Sequence, residues 1–272
     1  MSDALHFVQV GELVKGISEG TLPAADELAG SSLTLYVEDG RVLRLAFAAG
    51  GGLSWKVEAG PGAGEGGEER ALITRPRDGV YVVDYVLSTR AATSMTIVLD
   101  LPCRAATLVV GTLPTAGEAA QGAFALATAG AELTLVRCEI LAAAADRPFA
   151  VADHPHVRTD ELVGKRVQYV YSTTERYEHI YLNENLYTWQ CLDGSEKGLA
   201  DTDRCHYRRI GDELYLFVWR EKVIPTLGVV MVDWREKRSN GKLFGYEASD
   251  FGALSNTPIA SLATLLNVTT YV

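Results

Sequence analysis

Side chains able to do chemistry crowd one stretch of this 272-residue chain, from Leu162 to Gly245. Residues two apart in a strand share a face, so Tyr215, Phe217, Trp219 and Glu221 point together, as do Tyr169 and Tyr171. A carboxyl at the end of an aromatic face is poorly solvated, which raises its pKa toward neutrality and suits it to general acid or base work. Phenol hydroxyls beside it can orient an oxygen of a ligand. Glu221 is therefore the candidate acid/base group, with Tyr169 and Tyr171 as its candidate catalytic partners. The competing reading leaves Glu221 in solvent beside Arg220 or Lys222 and makes the tyrosines amphipathic core. His179 has inward parity and reads either as a ligand contact or as a satisfied core histidine. Tyr177, Tyr181, Trp189 and Trp219 supply an aromatic lining. Nine of the twelve tyrosines and three of the four tryptophans follow Leu162, so an aromatic-lined site belongs to the C-terminal half.

The elements that must position these residues are strands. Period-two runs occur at Leu33 to Val37, Tyr81 to Leu87, Met95 to Leu99, Val167 to Tyr171, His179 to Leu182, Leu214 to Glu221, Leu227 to Asp233 and Lys242 to Tyr246. Helix signals are confined to Val10–Ile17, ended by Glu19-Gly20, and to 117–127. Sliding the chain against itself exposes a repeat at an offset of 134. It pairs Asp26-Glu27-Leu28 and Gly30 with Asp160-Glu161-Leu162 and Gly164, then Trp55 with Trp189, Gly60 with Gly194, Gly64 with Gly198, Arg70 with Arg204, Asp78 with Asp212 and Tyr81 with Tyr215. Val98 with Val232, Arg104 with Arg238 and Gly111 with Gly245 follow at the same spacing. An internal duplication is implied, with one copy in residues 1–145, a second in 146–272 and a linker over Ala142 to Thr159. Sequential short strands without crossover helices close most economically into antiparallel up-and-down barrels, which have no exposed edges. An all-β chain of two tandem barrels with few short helices is expected, each barrel large enough for one small ligand. At the repeat offset Tyr169 falls on Leu35, Tyr171 on Val37, His179 on Leu45 and Glu221 on Leu87, so the polar site belongs to the second copy alone.

Other motifs are weaker. Gly50-Gly51-Gly52 and the glycines of 60–67 lack the Lys-Ser/Thr of a phosphate loop and read as hairpin turns. His154-Pro155-His156 has no third ligand nearby, Asp201 and Asp203 beside Arg204 read as a solvated or ion-paired loop, and no metal site is expected. Cys103, Cys138, Cys191 and Cys205 form no Cys-x-x-Cys pair and read as ordinary thiols. A net charge of −10 without a basic run argues against nucleic acid and anionic membrane partners. With no basic-then-apolar leader and no run near the ~18 apolar residues of a membrane span, a cytoplasmic protein is expected. The oligomeric state, a homo-oligomer included, is open.

The segments Leu162-Val163-Gly164-Lys165, Tyr169-Val170-Tyr171, Arg176 to Asn183, Leu199 to Cys205 and Trp219-Arg220-Glu221-Lys222 resemble the C-terminal domain of the family labelled molybdenum cofactor biosynthesis protein F, or MoaF. Asp26 to Gly111 resembles its N-terminal domain. The resemblance implies a lipocalin-like, or calycin, barrel. More distantly, Val163-Gly164-Lys165, Tyr169 with Tyr171, Tyr177-Glu178 and Trp219 with Glu221 are similar to motifs of bacterial phenolic acid decarboxylases. That similarity implies a tyrosine pair at the substrate carboxylate and a glutamate at the phenol end. Those enzymes follow a glycine with a carboxylate-handling arginine, where this chain has Gly198-Leu199, and Arg176 and Arg204 are the candidates to supply the charge from another strand. The expectation is a small aromatic or phenolic ligand, a neutral phenol, aldehyde or amine-derived aromatic in preference to its acid. It would be handled by a cofactor-independent lyase or isomerase type of enzyme or by a non-catalytic binder. An accessory role in molybdenum cofactor biosynthesis is the third reading, since the chain has neither clustered cysteines nor a terminal Gly-Gly for direct chemistry on that cofactor.

Overall fold

The computed structural model describes residues 6–270, in which strands dominate and helices are few and short. Its contacts form two units: one from residues 22–112 and 138–157, the other from residues up to 21, 113–137 and 158 onward.

The first unit is a nine-stranded antiparallel sheet: β1 (Ser32–Val37), β2 (Val42–Ala48), β3 (Gly52–Ala59), β4 (Gly66–Arg70), β5 (Leu72–Arg77), β6 (Val80–Val86), β7 (Thr93–Asp100), β8 (Ala105–Thr112) and β9 (Arg137–Ala145). Their order is β4-β3-β2-β1-β9-β8-β7-β6-β5. Only Ala71 separates β4 from β5, and its N–H bonds to the Gly51 carbonyl at 2.7 Å, so one bent strand carries the sheet round. The core is apolar, with Leu35, Val37, Leu45, Leu87 and Ile97 buried.

The second unit holds β10 (Val157–Arg158), β11 (Lys165–Val170), β12 (Arg176–Asn183), β13 (Leu186–Asp193), β14 (Ala200–Gly211), β15 (Leu214–Glu221), β16 (Thr226–Asp233), β17 (Arg238–Tyr246) and β18 (Leu254–Val268). They are ordered β10-β14-β13-β12-β11-β18-β17-β16-β15, and pairing of β14 with β15 closes the barrel. The chain is thus two closed or nearly closed antiparallel barrels in tandem.

Cross-strand registers carry the duplication. Leu35 faces Leu43 and Tyr169 faces Tyr177; Leu45 faces Trp55 and His179 faces Trp189; Ile73 faces Val83 and Tyr207 faces Phe217, all at the 134 offset. Gly30 and Gly164 both adopt φ of 81° at the turn before the first strand. A side-chain device repeats as well. The Trp55 indole donates to Glu69 at 3.4 Å and that of Trp189 to Asp203 at 3.0 Å, while the backbone N–H groups of Ser88 and Lys222 cap the same two carboxylates. Beyond β15 the offset changes. Val83 faces Ile97 but Phe217 faces Val230, because the loop before β16 is one residue shorter. The equivalences expected for Val98, Arg104 and Gly111 are therefore displaced by one: Arg104 corresponds to Lys237, each with positive φ, at 52° and 50°.

Helix α1 (Val10–Ile17) forms where the apolar spacing predicts it. The helix expected over 117–127 is instead two, α2 (Ala116–Ala119) and α3 (Ala123–Thr128), because Gly122 restarts the helix as an N-cap. Ala142 to Ala145, expected as linker, are the buried end of β9, and Leu35 faces Ala145. The histidines of that stretch are structural. His156 Nδ1 lies 2.9 Å from Thr107 Oγ1, and His154 Nε2 lies 3.1 Å from the Ala106 carbonyl. No helix among the described residues is long and apolar enough to cross a membrane.

Candidate functional site

Alternation turns Tyr177, His179, Tyr187, Trp189 and Trp219 into the second barrel, where they line a cavity with Tyr171, Glu196, Glu221 and Leu243. Leu13 and Ile17 of α1 complete the wall. The helix seats closely because it meets glycines and carries them: a Cβ on Gly245 would lie 2.4 Å from Val10, and one on Gly11 2.6 Å from the Glu247 carbonyl. Trp219 has room for its indole because Gly228, its cross-strand partner, has no side chain; a Cβ there would lie 2.1 Å from the ring. The cavity volume is about 40 Å³.

The Trp219 indole donates to Glu221 Oε1 at 2.9 Å, so the two expected neighbours hold each other. Glu221 keeps some accessible surface, but its carboxyl is enclosed. Burial holds its pKa well above the usual carboxylate range, and the charge of nearby Asp203 adds to the effect. Of this coupled pair Glu221 keeps the proton. Asp203 has its own cation, with Lys222 Nζ at 3.5 Å, and accepts from Trp189 and the Lys222 amide. Asp201 and Asp203, expected as a loop beside Arg204, instead lie on β14 and pair with Lys222, while Arg204 pairs with Glu132.

His179 is buried against Tyr169, Tyr187 and Trp219, with ring centroids 4.6, 5.1 and 6.0 Å away. Burial lowers its pKa to about 3, so it is neutral, and its Nδ1 has no hydrogen-bond partner among the described residues. An orphaned buried polar atom costs about 1–3 kcal/mol, which a ligand or water at the site would relieve.

Tyr171 and Glu221 share the cavity; Tyr169 lies one layer deeper. Its hydroxyl is 2.5 Å from that of Tyr181, and both rings are buried behind His179. Burial raises all three of these phenols above their ordinary range. Neither arginine lines the cavity. Arg204 is half-exposed with Nε 3.4 Å from Glu132, and Arg176 lies in a separate outer groove with Gln168 and Arg238. Glu178, beside Tyr177 in sequence, is on the other face of β12 and bonds Arg166 at 2.8 Å.

Glu196 is a site residue that periodicity does not reveal, because it sits in the turn between β13 and β14. It is buried, accepts from the Tyr177 hydroxyl at 3.1 Å and the Val8 amide at 3.2 Å, and burial raises its pKa. Glu175 fixes that turn by accepting from the Ser195 amide and hydroxyl. Tyr187 is likewise added to the lining.

In the first barrel, Leu35, Val37, Leu45 and Leu87 occupy the equivalent positions in a core without these polar groups. The molecule is therefore a tandem-barrel protein in which Glu196, Glu221 and a neutral His179 line a cavity of the second barrel.

Family models match both halves: the MoaF N-terminal domain over residues 5–115 and the MoaF C-terminal domain over residues 156–269. Protein MoaF of Klebsiella aerogenes is 43% identical over 275 residues, covering 99% of this chain and 98% of its own. The chain belongs to the MoaF family. A solved structure of a beta-lactamase candidate from Burkholderia vietnamiensis is similar at 15% identity and a TM-score of 0.32, over 46% of this chain and 95% of that one, too low to carry an argument.

Proposed function

We propose that the chain binds a small aromatic, phenolic molecule in its second barrel and acts on it by proton transfer, as a cofactor-independent lyase or isomerase. The observation that carries this reading is Glu221: a carboxyl kept protonated by burial, held by Trp219 and facing a cavity of aromatic rings. A buried acid that retains its proton near neutral pH is a group from which a general acid is made. Tyr171 shares the cavity and orients a ligand oxygen, Tyr177 and His179 add hydrogen-bonding capacity, and Tyr169 with Tyr181 backs the His179 ring. Among the described side chains the lining holds two acids, Glu196 and Glu221, and no lysine or arginine, which supports the expected preference against aromatic acids.

Conversion of a phenolic panel by the wild-type chain, followed by mass spectrometry, tests the reading. Glu221→Gln should abolish turnover while leaving binding within a few-fold. Turnover that survives Glu221→Gln would sink the acid/base role. A non-catalytic ligand carrier is the second reading, favoured by a cavity of about 40 Å³ that closes over what it holds. Such a protein would bind without converting the ligand in either form. The accessory role in molybdenum cofactor biosynthesis, carried by the family label alone, predicts loss of molybdoenzyme activity on deletion of the gene.

A further inference from the structure

The charge balance of the cavity says more about the ligand than its rings do. Two acids, Glu221 from the end of β15 and Glu196 from the turn before β14, face a space walled by Tyr171, Tyr177, Tyr187, Trp189, Trp219 and His179. Among the described side chains, no lysine or arginine lines it. Of the cations next to these acids in sequence, Lys222 is engaged by Asp201 and Asp203, Lys197 by Asp193, and Arg220 donates to the Val136 carbonyl. Glu221 accepts from the Trp219 indole, and Glu196 from the Tyr177 hydroxyl and the Val8 amide, all neutral donors.

Three ligand charges can be weighed against this. An aromatic acid would bring a third carboxyl into a space that already holds two and offers no counter-charge. A neutral phenol would satisfy the rings and leave the acids as they are. A cation would meet both things the cavity has in excess, π faces and carboxyl groups, and each attracts an ammonium more strongly when water is excluded. We propose that the ligand is an organic cation, a small arylalkyl ammonium whose positive charge is met by Glu196 and Glu221 inside the aromatic wall. The inference rests on the reading of this cavity as the ligand site.

The groups around the two acids agree with it. Asp203, Asp201, Glu175 and Glu196 itself add negative charge around Glu221 or Glu196; His179 is neutral, and His6 of the N-terminal segment is the cationic influence on Glu196. Burial raises the pKa of both acids, that of Glu221 well above the carboxylate range. An entering ammonium favours the charged form of the carboxyl it meets, whose proton leaves to solvent as the cation binds.

A charge series at constant size tests this on the full-length chain by calorimetry: benzylammonium, benzyl alcohol and benzoate. Benzylammonium is expected to bind at least tenfold more tightly than benzyl alcohol, and benzoate more weakly than either. Glu196→Gln and Glu221→Gln should each weaken benzylammonium about tenfold while leaving benzyl alcohol within about twofold, which also shows that the variants fold. Equal or tighter binding of benzyl alcohol overturns the proposal. So does a benzylammonium preference that survives in the double glutamine variant. If none of the three binds to a chain whose circular dichroism is that of a folded β protein, the aromatic-ligand reading falls and takes this one with it.

Discussion

At the scale of single residues, the second barrel differs from the first by a few exchanges at fixed positions. Leu45 becomes His179, Leu87 becomes Glu221 and Val37 becomes Tyr171, while the Trp55 and Trp189 anchors to a carboxylate are kept. Each exchange carries a measurable cost. His179 has its pKa lowered to about 3 from 6.5, so the unfolded chain takes up a proton there that the folded chain refuses. Stability should therefore fall as pH drops from about 6.5 toward 3, and urea titrations of His179→Gln should show a shallower acid limb than wild type. An equally steep limb would mean that His179 is not the titrating group. Glu221 acts with the opposite sign. Its raised pKa favours the folded state below the ordinary carboxylate range and penalises it as pH rises, so Glu221→Gln should remove part of the decline in stability on the alkaline side. Gly228 makes a steric prediction: alanine there has to displace the Trp219 indole, costing about 1–3 kcal/mol and shifting tryptophan emission to the red. Unchanged emission and stability would show that the ring has space that this geometry denies it.

At the scale of elements, the site has strand walls held by ladder hydrogen bonds and one wall, α1, that is docked. Two glycines in eight residues weaken α1 on its own by about 0.5–1 kcal/mol each, so it depends on packing of Val10 and Ile17. The cavity it closes, about 40 Å³, is smaller than the roughly 150 Å³ that takes up benzene in an engineered apolar core. A ring-sized ligand therefore enters by displacing this wall. Gly11→Val, which drives a side chain into the Glu247 backbone, should undock α1, raise hydrogen exchange across 8–17 and speed association of benzyl alcohol. Unaltered exchange and rates would assign entry to another wall.

Legibility differed sharply between these elements. Val10–Ile17 was readable as a helix because its apolar residues recur at helical spacing, and β15 because Leu214 to Trp219 form an unbroken aromatic and branched run, buried on both faces. The strands β13 and β14 were missed although they alternate: Tyr187, Trp189 and Cys191 are buried and Thr188 and Gln190 less so, while in β14 the buried face of Asp203, Cys205 and Tyr207 is interrupted by a charge. Tyr171 and Glu221 were legible as site residues by parity. Tyr169 has the same parity but sits deeper in the barrel, a distinction alternation cannot make. Glu196 lies in a turn, where alternation is silent, and Leu13 and Ile17 reach the site across more than 150 residues of chain.

At the scale of the whole molecule, the chain does not divide where its repeat does. Residues up to 21 and 113–137 belong with the second barrel, where Tyr246 bonds the Pro114 carbonyl at 2.8 Å and Arg220 that of Val136 at 3.0 Å. A chain shortened to begin after Ile17 should accordingly lose stability in the barrel farther along the sequence, by about 2–5 kcal/mol from the lost burial of Val10 and Ile17. Single-tryptophan variants separate the outcomes: the transition seen by Trp189 should fall while that seen by Trp55 holds, and an equal fall in both would contradict a segment dedicated to one barrel. The same arrangement sets a schedule for synthesis. Helix α1 leaves the ribosome some 230 residues ahead of Gly245 and Glu247, against which it docks. At roughly 5–20 residues per second its apolar side is without its final partner for about 10–50 s. During that interval the first barrel can close on its own strands while the helix waits. The newly made chain passes through a stage with one finished barrel and one open one, and the last event is the docking of a segment made before either barrel.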